Sequence, residues 1–180
     1  AGTLTLSGTS GLNSNAQGIH AAGGTLRSTN AGDITLVSDT LQLDANPRLS
    51  GTGTLTIKPE TSGTTLGVGA GSGMLQISDT HLASNIVDGF ASIILGSATT
   101  GNINVAGSTS YADNLTLKSA GDITLDAGAS ITGSNGQNAA LVLWADADGS
   151  SAGSIYLMAP DGEFAELFSL RMPTEAMVRE

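Results

Sequence analysis

Apolar residues two apart, with a polar residue between them and a glycine in front, recur along this chain. The phrase Gly-x-Leu/Ile-x-Leu/Ile/Val spans Gly2 to Leu6, Gly32 to Leu36 and Gly53 to Ile57. It returns at Gly101 to Val105, Gly121 to Leu125 and Gly153 to Leu157. Looser forms run from Asp39 to Leu43, Gly73 to Ile77 and Asp113 to Leu117. A period of two puts both aliphatic side chains on one face of a strand and turns Thr, Asp, Asn or Gln to the other. The leading Gly or Asp reads as turn chemistry. Short strands repeated this often predict one unit stacked on itself.

The expected fold is therefore all-β: a single-stranded parallel β-helix, or β-solenoid, over residues 1–160. Two coils are clear, Leu115 to Gly133 and Gly24 to Gly51. About eight coils of roughly 20 residues, stacked ~4.8 Å apart, predict a rod of roughly 40 Å. The predicted inward set begins with Leu4, Leu6, Leu26, Ile34, Leu36, Leu41, Leu43, Leu55, Ile57, Leu75 and Ile77. It continues with Ile93, Leu95, Ile103, Val105, Leu115, Leu117, Ile123, Leu125, Ile131, Leu141, Leu143, Ile155 and Leu157. The clustered glycines of Thr61 to Gly73 read as a loop or flexible corner leaving the rod.

Past Pro160 the pattern changes. Residues 161–180 have no Gly after Gly162, and Phe164, Leu167 and Phe168 fall on one helical face. They read as a short C-terminal helical or irregular cap over a solenoid end, or as a tail.

Composition fits a thin aliphatic tube. Gly numbers 25 of 180 residues and aromatics only 3%, while 39% of the chain is hydrophobic, too much for a disordered Gly/Ser/Thr chain. The net charge of −10 with six basic residues argues against a phosphate-tracking surface, and hence against nucleic acid. Absence of cysteine excludes disulfides and thiolate metal sites, and is compatible with crossing an envelope unfolded. No stretch has the length of a membrane-spanning helix, and no secretion signal is visible. The chain starts inside a repeat, as a mature or excised fragment does.

No catalytic constellation assembles itself, and no catalytic, cofactor or metal site is assigned. His20 and His81 read as surface histidines. Asp33, Asp39, Asp113 and Asp122 hold related phrase positions, which fits turn initiation. A polysaccharide-active enzyme would need Asp122, Asp126 and Asp146 to gather with Lys118 or Arg48 in one groove. Asp146 and Asp148, in the Asp146 to Gly149 loop, resemble a partial Ca²⁺ loop, but no downstream Glu completes it. Trp144 and Tyr156 read as a sugar platform or as packing against the cap.

The cadence NLTLKSAGDITLDAGASITG (114–133), followed by ALVLWADADGSSAGSIYL (140–157), resembles the repeat region of filamentous-haemagglutinin-like exoproteins of two-partner secretion systems. The resemblance covers residues 1–160. It implies a right-handed parallel β-helix, export through an outer-membrane secretion partner and a place outside the bacterial cell. The implied role is adhesion to host cells, glycans or biofilm, without enzymatic activity. The family's amino-terminal secretion motif is not evident, so the chain reads as an internal stretch of a longer protein. A self-assembling filament subunit, with residues 161–180 docking on the next copy, is the remaining alternative.

Overall fold

A computed structural model describes residues 2–8, 18–45, 48–134 and 139–158. The expected cap over 161–180, and the boundary before it, lie outside the described residues.

Numbered in chain order, one six-stranded sheet contains β1 (Leu4–Ser7), β4 (Ile34–Val37), β7 (Thr54–Lys58), β10 (Ser92–Gly96), β13 (Leu115–Lys118) and β16 (Leu141–Trp144), stacked in that order. A second sheet runs β17 (Ile155–Leu157), β14 (Ile123–Leu125), β11 (Ile103–Ala106), β8 (Leu66–Gly69), β9 (Leu75–Ile77). Three two-stranded pairs complete the set. They are β2 (Ile19–Ala21) with β5 (Leu41–Leu43), β3 (Thr25–Arg27) with β6 (Arg48–Ser50), and β12 (Ser108–Tyr111) with β15 (Ser130–Gly133). Every pairing among the described strands is parallel.

The chain returns to the large sheet after every excursion, but the excursions differ. β2, β3, β5 and β6 lie in two-stranded pairs, β8 and β9 both lie in the second sheet, and β11 with β12 and β14 with β15 divide between the second sheet and a pair. Each strand of the six-stranded sheet is followed by segments in the others before the next strand is laid beside it. We call each such circuit a pass. Six passes, not eight, are described, so the large sheet extends about 24 Å from first strand to last rather than roughly 40 Å. The interval between equivalent residues is uneven, shortest from Ile34 to Leu55 and longest from Leu55 to Ile93. That longest pass holds β8, β9 and a single helical turn, His81–Asn85, closed by Ile86 N–H donating to the His81 carbonyl at 2.9 Å.

Register makes the core. Leu4, Ile34, Leu55, Ile93, Leu115 and Leu141 form one column, with Leu6, Leu36, Ile57, Leu95, Leu117 and Leu143 beside it. Across from them stand Leu66, Ile103 and Ile123, with Leu75 stacked on Leu66. The central members are sealed from solvent. The column ends are not: Leu4 is 37% exposed, Leu141 36% and Ile155 46%. A side chain is buried by the passes on both sides of it, so the same aliphatic residue is core in the middle and surface at either end.

The expected loop at Thr61 to Gly73 is corrected. Leu66 and Val68 are fully buried in β8, at the heart of the second sheet. From Gly69 the backbone doubles back within a few residues and lays β9 parallel to β8. Parallel neighbours ordinarily need a much longer crossover. The glycines make the short return possible, since a Cβ on Gly71 would come 2.0 Å from the Asn104 carbonyl oxygen. They are a close-packing device rather than a flexible corner.

Several core residues escaped the alternation rule. Leu49 pairs with Ile86 through an isolated bridge, and Leu82, Ile86, Phe90 and Tyr111 fill the side where the helical turn meets β6 and β12. Buried serines close the corners after strands of the large sheet. Ser38 Oγ donates to the Gly8 carbonyl at 2.8 Å, and Ser119 Oγ to the Gly101 carbonyl at 2.7 Å. Among the described residues no helix is long and apolar enough to cross a membrane.

Candidate functional site

The outer faces are polar rows set by the same register. On the large sheet Thr5, Thr35, Thr56, Ile94, Thr116 and Val142 lie side by side. On the second sheet the row is Gln76, Gly67, Asn104, Thr124 and Tyr156. A shallow groove of about 500 Å³ opens beside Asn104 and Thr124 of this row. It is lined by Thr65, Ser72, Asn102, Asn104 and Thr124, with Gly73 and Ile103. Asn104 is held from both sides: its Oδ1 accepts Ser72 N–H at 2.7 Å and its Nδ2 donates to Asp126 Oδ1 at 2.7 Å. A fixed amide among hydroxyls, on an open floor, suits a neutral polyhydroxyl ligand.

A second groove of about 390 Å³ lies between the helical turn and β12. Arg48 lines it and donates to the Ser84 carbonyl, while Asp88 is the acid in its lining. Asp113 accepts N–H groups of Gly89 and Phe90 at 3.1 Å each. Burial, followed by the neighbouring Asp88, raises its pKa against those backbone bonds.

The carboxylates weighed as an enzymatic cluster are separately engaged. Asp122 Oδ1 accepts Ser154 N–H at 2.9 Å, and Asp126 is bound to Asn104. Asp146 Oδ1 accepts Ser151 N–H at 2.8 Å within its own loop. Lys118 Nζ lies 4.0 Å from the centroid of the Trp144 ring, one strand away. Neither groove brings Asp122, Asp126 and Asp146 together with Lys118 or Arg48.

The Asp146 to Ser151 loop spends its oxygens on itself. Asp148 Oδ1 accepts Ser150 N–H, and bonds from Ser150 hold the Asp148 carboxyl below its ordinary pKa. No cluster of three or more metal-binding side chains occurs among the described residues. His20 is exposed and 3.2 Å from Asp44 across one pass. His81, expected at the surface, is half-buried instead. Its Nδ1 accepts Ser78 N–H at 3.3 Å, and burial lowers its pKa against backbone bonds at Leu43 and Gln76.

Two of the acids expected to initiate turns do something else: Asp33 Oδ1 accepts Thr54 N–H at 2.7 Å and Asp122 Oδ1 accepts Ser154 N–H at 2.9 Å. Two asparagines act alike, Asn102 Oδ1 accepting Asp122 N–H at 3.0 Å and Asn114 Oδ1 accepting Ala140 N–H at 2.9 Å. Each sits just before an inward aliphatic residue and binds the same position of the next pass. They are fasteners between passes, which only the stacking could reveal. Trp144 is 49% exposed on the large sheet, whereas Tyr156 is half-buried on the second, so the two aromatics do not form one platform.

Compared with known proteins, the chain matches no family model, and no curated protein or solved structure is significantly similar to it.

Proposed function

We propose that this chain is a segment of an exported bacterial surface protein, a structural stalk whose outer rows attach to host cells, glycans or biofilm matrix. In this reading the six passes are one continuous winding, a single-stranded right-handed parallel β-helix. The observation that carries it is register: Ile34, Leu55, Ile93 and Leu115 stack directly through four successive passes although the intervals between them differ. An aligned, hydrogen-bonded stack resists bending, and repetition lengthens it without a new fold. Right-handedness follows the general rule for parallel crossovers. The cadence shared with filamentous-haemagglutinin-like exoproteins supports export through an outer-membrane partner, and a cysteine-free chain suits that route.

Attachment is assigned to the groove around Asn104, with weak contacts multiplied along repeated passes. The test is a glycan-array screen of the full chain, scoring both binding and product release. Binding without turnover, weakened by Thr124→Ala and by Asn104→Ala, is the expected result. Turnover would replace the adhesive reading by a polysaccharide-active enzyme. Array-wide silence would remove attachment and leave a spacer.

A further inference from the structure

One side of the stack is interrupted in its middle. There β3 pairs with β6 and β12 with β15, but among the described residues no strand is laid between β6 and β12. The chain makes the turn His81–Asn85 instead, packed against both strands and followed by the isolated bridge from Ile86 to Leu49. Ile86 N–H closes that turn on the His81 carbonyl five residues back, the wide π geometry, which is rare and frequent at functional sites. Leu82 and Ile86 seal the core beneath it. Core packing accounts for the inner face of the turn, not for what its outer face presents. Where the strand is missing the groove of about 390 Å³ opens, within the size range of small-molecule sites.

Arg48 lines this groove from β6, at an exposed position. One guanidinium N–H goes to the Ser84 carbonyl, which fixes the group at the groove wall and leaves further donors of the planar fork unused. Asp88 lines the same groove but does not pair with it; the one ion pair among the described residues is His20 with Asp44. We infer that the groove binds a carboxylated sugar, a uronate unit of an acidic glycan. The Arg48 fork matches a carboxylate through two parallel bonds. Asp88 accepts from ring hydroxyls, Ser84, Ser110 and Ser134 exchange further hydrogen bonds with them, and Val87, 38% exposed, meets the apolar face of the ring. Asp88 decides among anions. A phosphate carrying up to two charges would meet it as like charge, whereas a uronate brings one charge for Arg48 and hydroxyl donors for Asp88. A neutral sugar leaves the guanidinium without its anion. The site shares no lining residue with the groove around Asn104 and does not depend on it.

Titration of the full chain with tetragalacturonate, and with the same oligosaccharide methyl-esterified, tests it by calorimetry and by backbone amide shifts in NMR. The acid form is expected to bind and to shift amides of 82–88 and 110–112, and the ester to bind about tenfold more weakly. Arg48→Gln should weaken the acid form by about tenfold, and Arg48→Lys by less, since it keeps the charge but loses the fork. Asn104→Ala should leave this affinity unchanged. The amide shifts need no substitution, so the test holds even where loss of the Ser84 bond loosens the turn. Equal affinity for acid and ester overturns the inference. So do shifts at 102–104 in place of 82–88, a result that would keep the attachment reading. Stronger Arg48-dependent binding of inorganic phosphate overturns it in favour of a general anion site. Absence of uronate binding overturns it whatever the glycan array shows for Asn104.

Discussion

Asp122 Oδ1 accepts the backbone N–H of Ser154, one pass further along, at 2.9 Å. Asp33 holds Thr54 in the same way near the other end. The residue before each inward aliphatic position is thus a place where an acceptor fastens successive passes. Asp122→Ala leaves the Ser154 donor without this partner and should cost about 1 kcal/mol. Asp122→Asn keeps an acceptor, as Asn102 does naturally, and should cost far less. Urea unfolding of the pair of variants checks this; equal losses would mean that charge rather than the bond matters.

Burial by neighbouring passes predicts a gradient within one column. Leu115→Ala, at 0% exposure, should destabilise by about 2–5 kcal/mol, and Leu141→Ala, already 36% exposed, by much less. Thermal unfolding of both at low concentration decides it. Ile123→Asp, an unpaired charge in the sealed column, should prevent folding, seen as loss of the strand signal in circular dichroism.

Glycine at the head of the phrase faces a close contact. A Cβ on Gly53 would lie 2.5 Å from the Gly32 carbonyl oxygen, and one on Gly153 2.6 Å from that of Gly121. Gly53→Ala should therefore lower the unfolding midpoint clearly, whereas Gly23→Ala, with open space around it, should not. Comparable midpoints for the two variants would show that the passes shift apart at little cost.

Asp39 links the second pass to the third. Burial raises its pKa, but Thr61, Thr64 and Glu60 outweigh this through Thr61 Oγ1–H at 2.6 Å, Thr61 N–H at 2.8 Å, Glu60 N–H at 3.0 Å and Thr64 Oγ1–H at 3.3 Å. The folded state therefore holds this carboxyl below its ordinary value of 3.8. Its contribution is complete above that value and is lost as pH falls through the lower folded value. The stability difference between the parent chain and Asp39→Asn should be constant near neutrality and shrink in acid. A difference that widens in acid would reverse the sign of the linkage. Asp113, with its raised pKa, has the opposite slope and is common to both proteins.

Lys118 over Trp144 joins adjacent strands on an exposed face. Lys118→Met should change stability by about 0.5–1 kcal/mol at most while shifting Trp emission, since Trp144 is the chain's only tryptophan. Unchanged emission would mean that the ammonium does not stay over the ring.

Alternation alone determined which face of each strand is apolar, because a period of two is a local property of the backbone. Ile34 with Leu36 and Ile103 with Val105 were legible for that reason, as was the parallel all-β class. Four matters depended on what lies one pass away. Leu66 and Val68 sit in a glycine-rich stretch that reads as a loop until Asn104 is placed against Gly71. Asp33 and Asp122 look like turn residues until the N–H groups of Thr54 and Ser154 arrive beside them. Phe90 and Tyr111 follow no repeated phrase and are buried by a helical turn peculiar to one pass. Leu4 and Leu141 carry the same pattern as Ile34 and Leu115, yet are more exposed, because burial is counted in neighbours and among the described residues each has a paired strand on one side only.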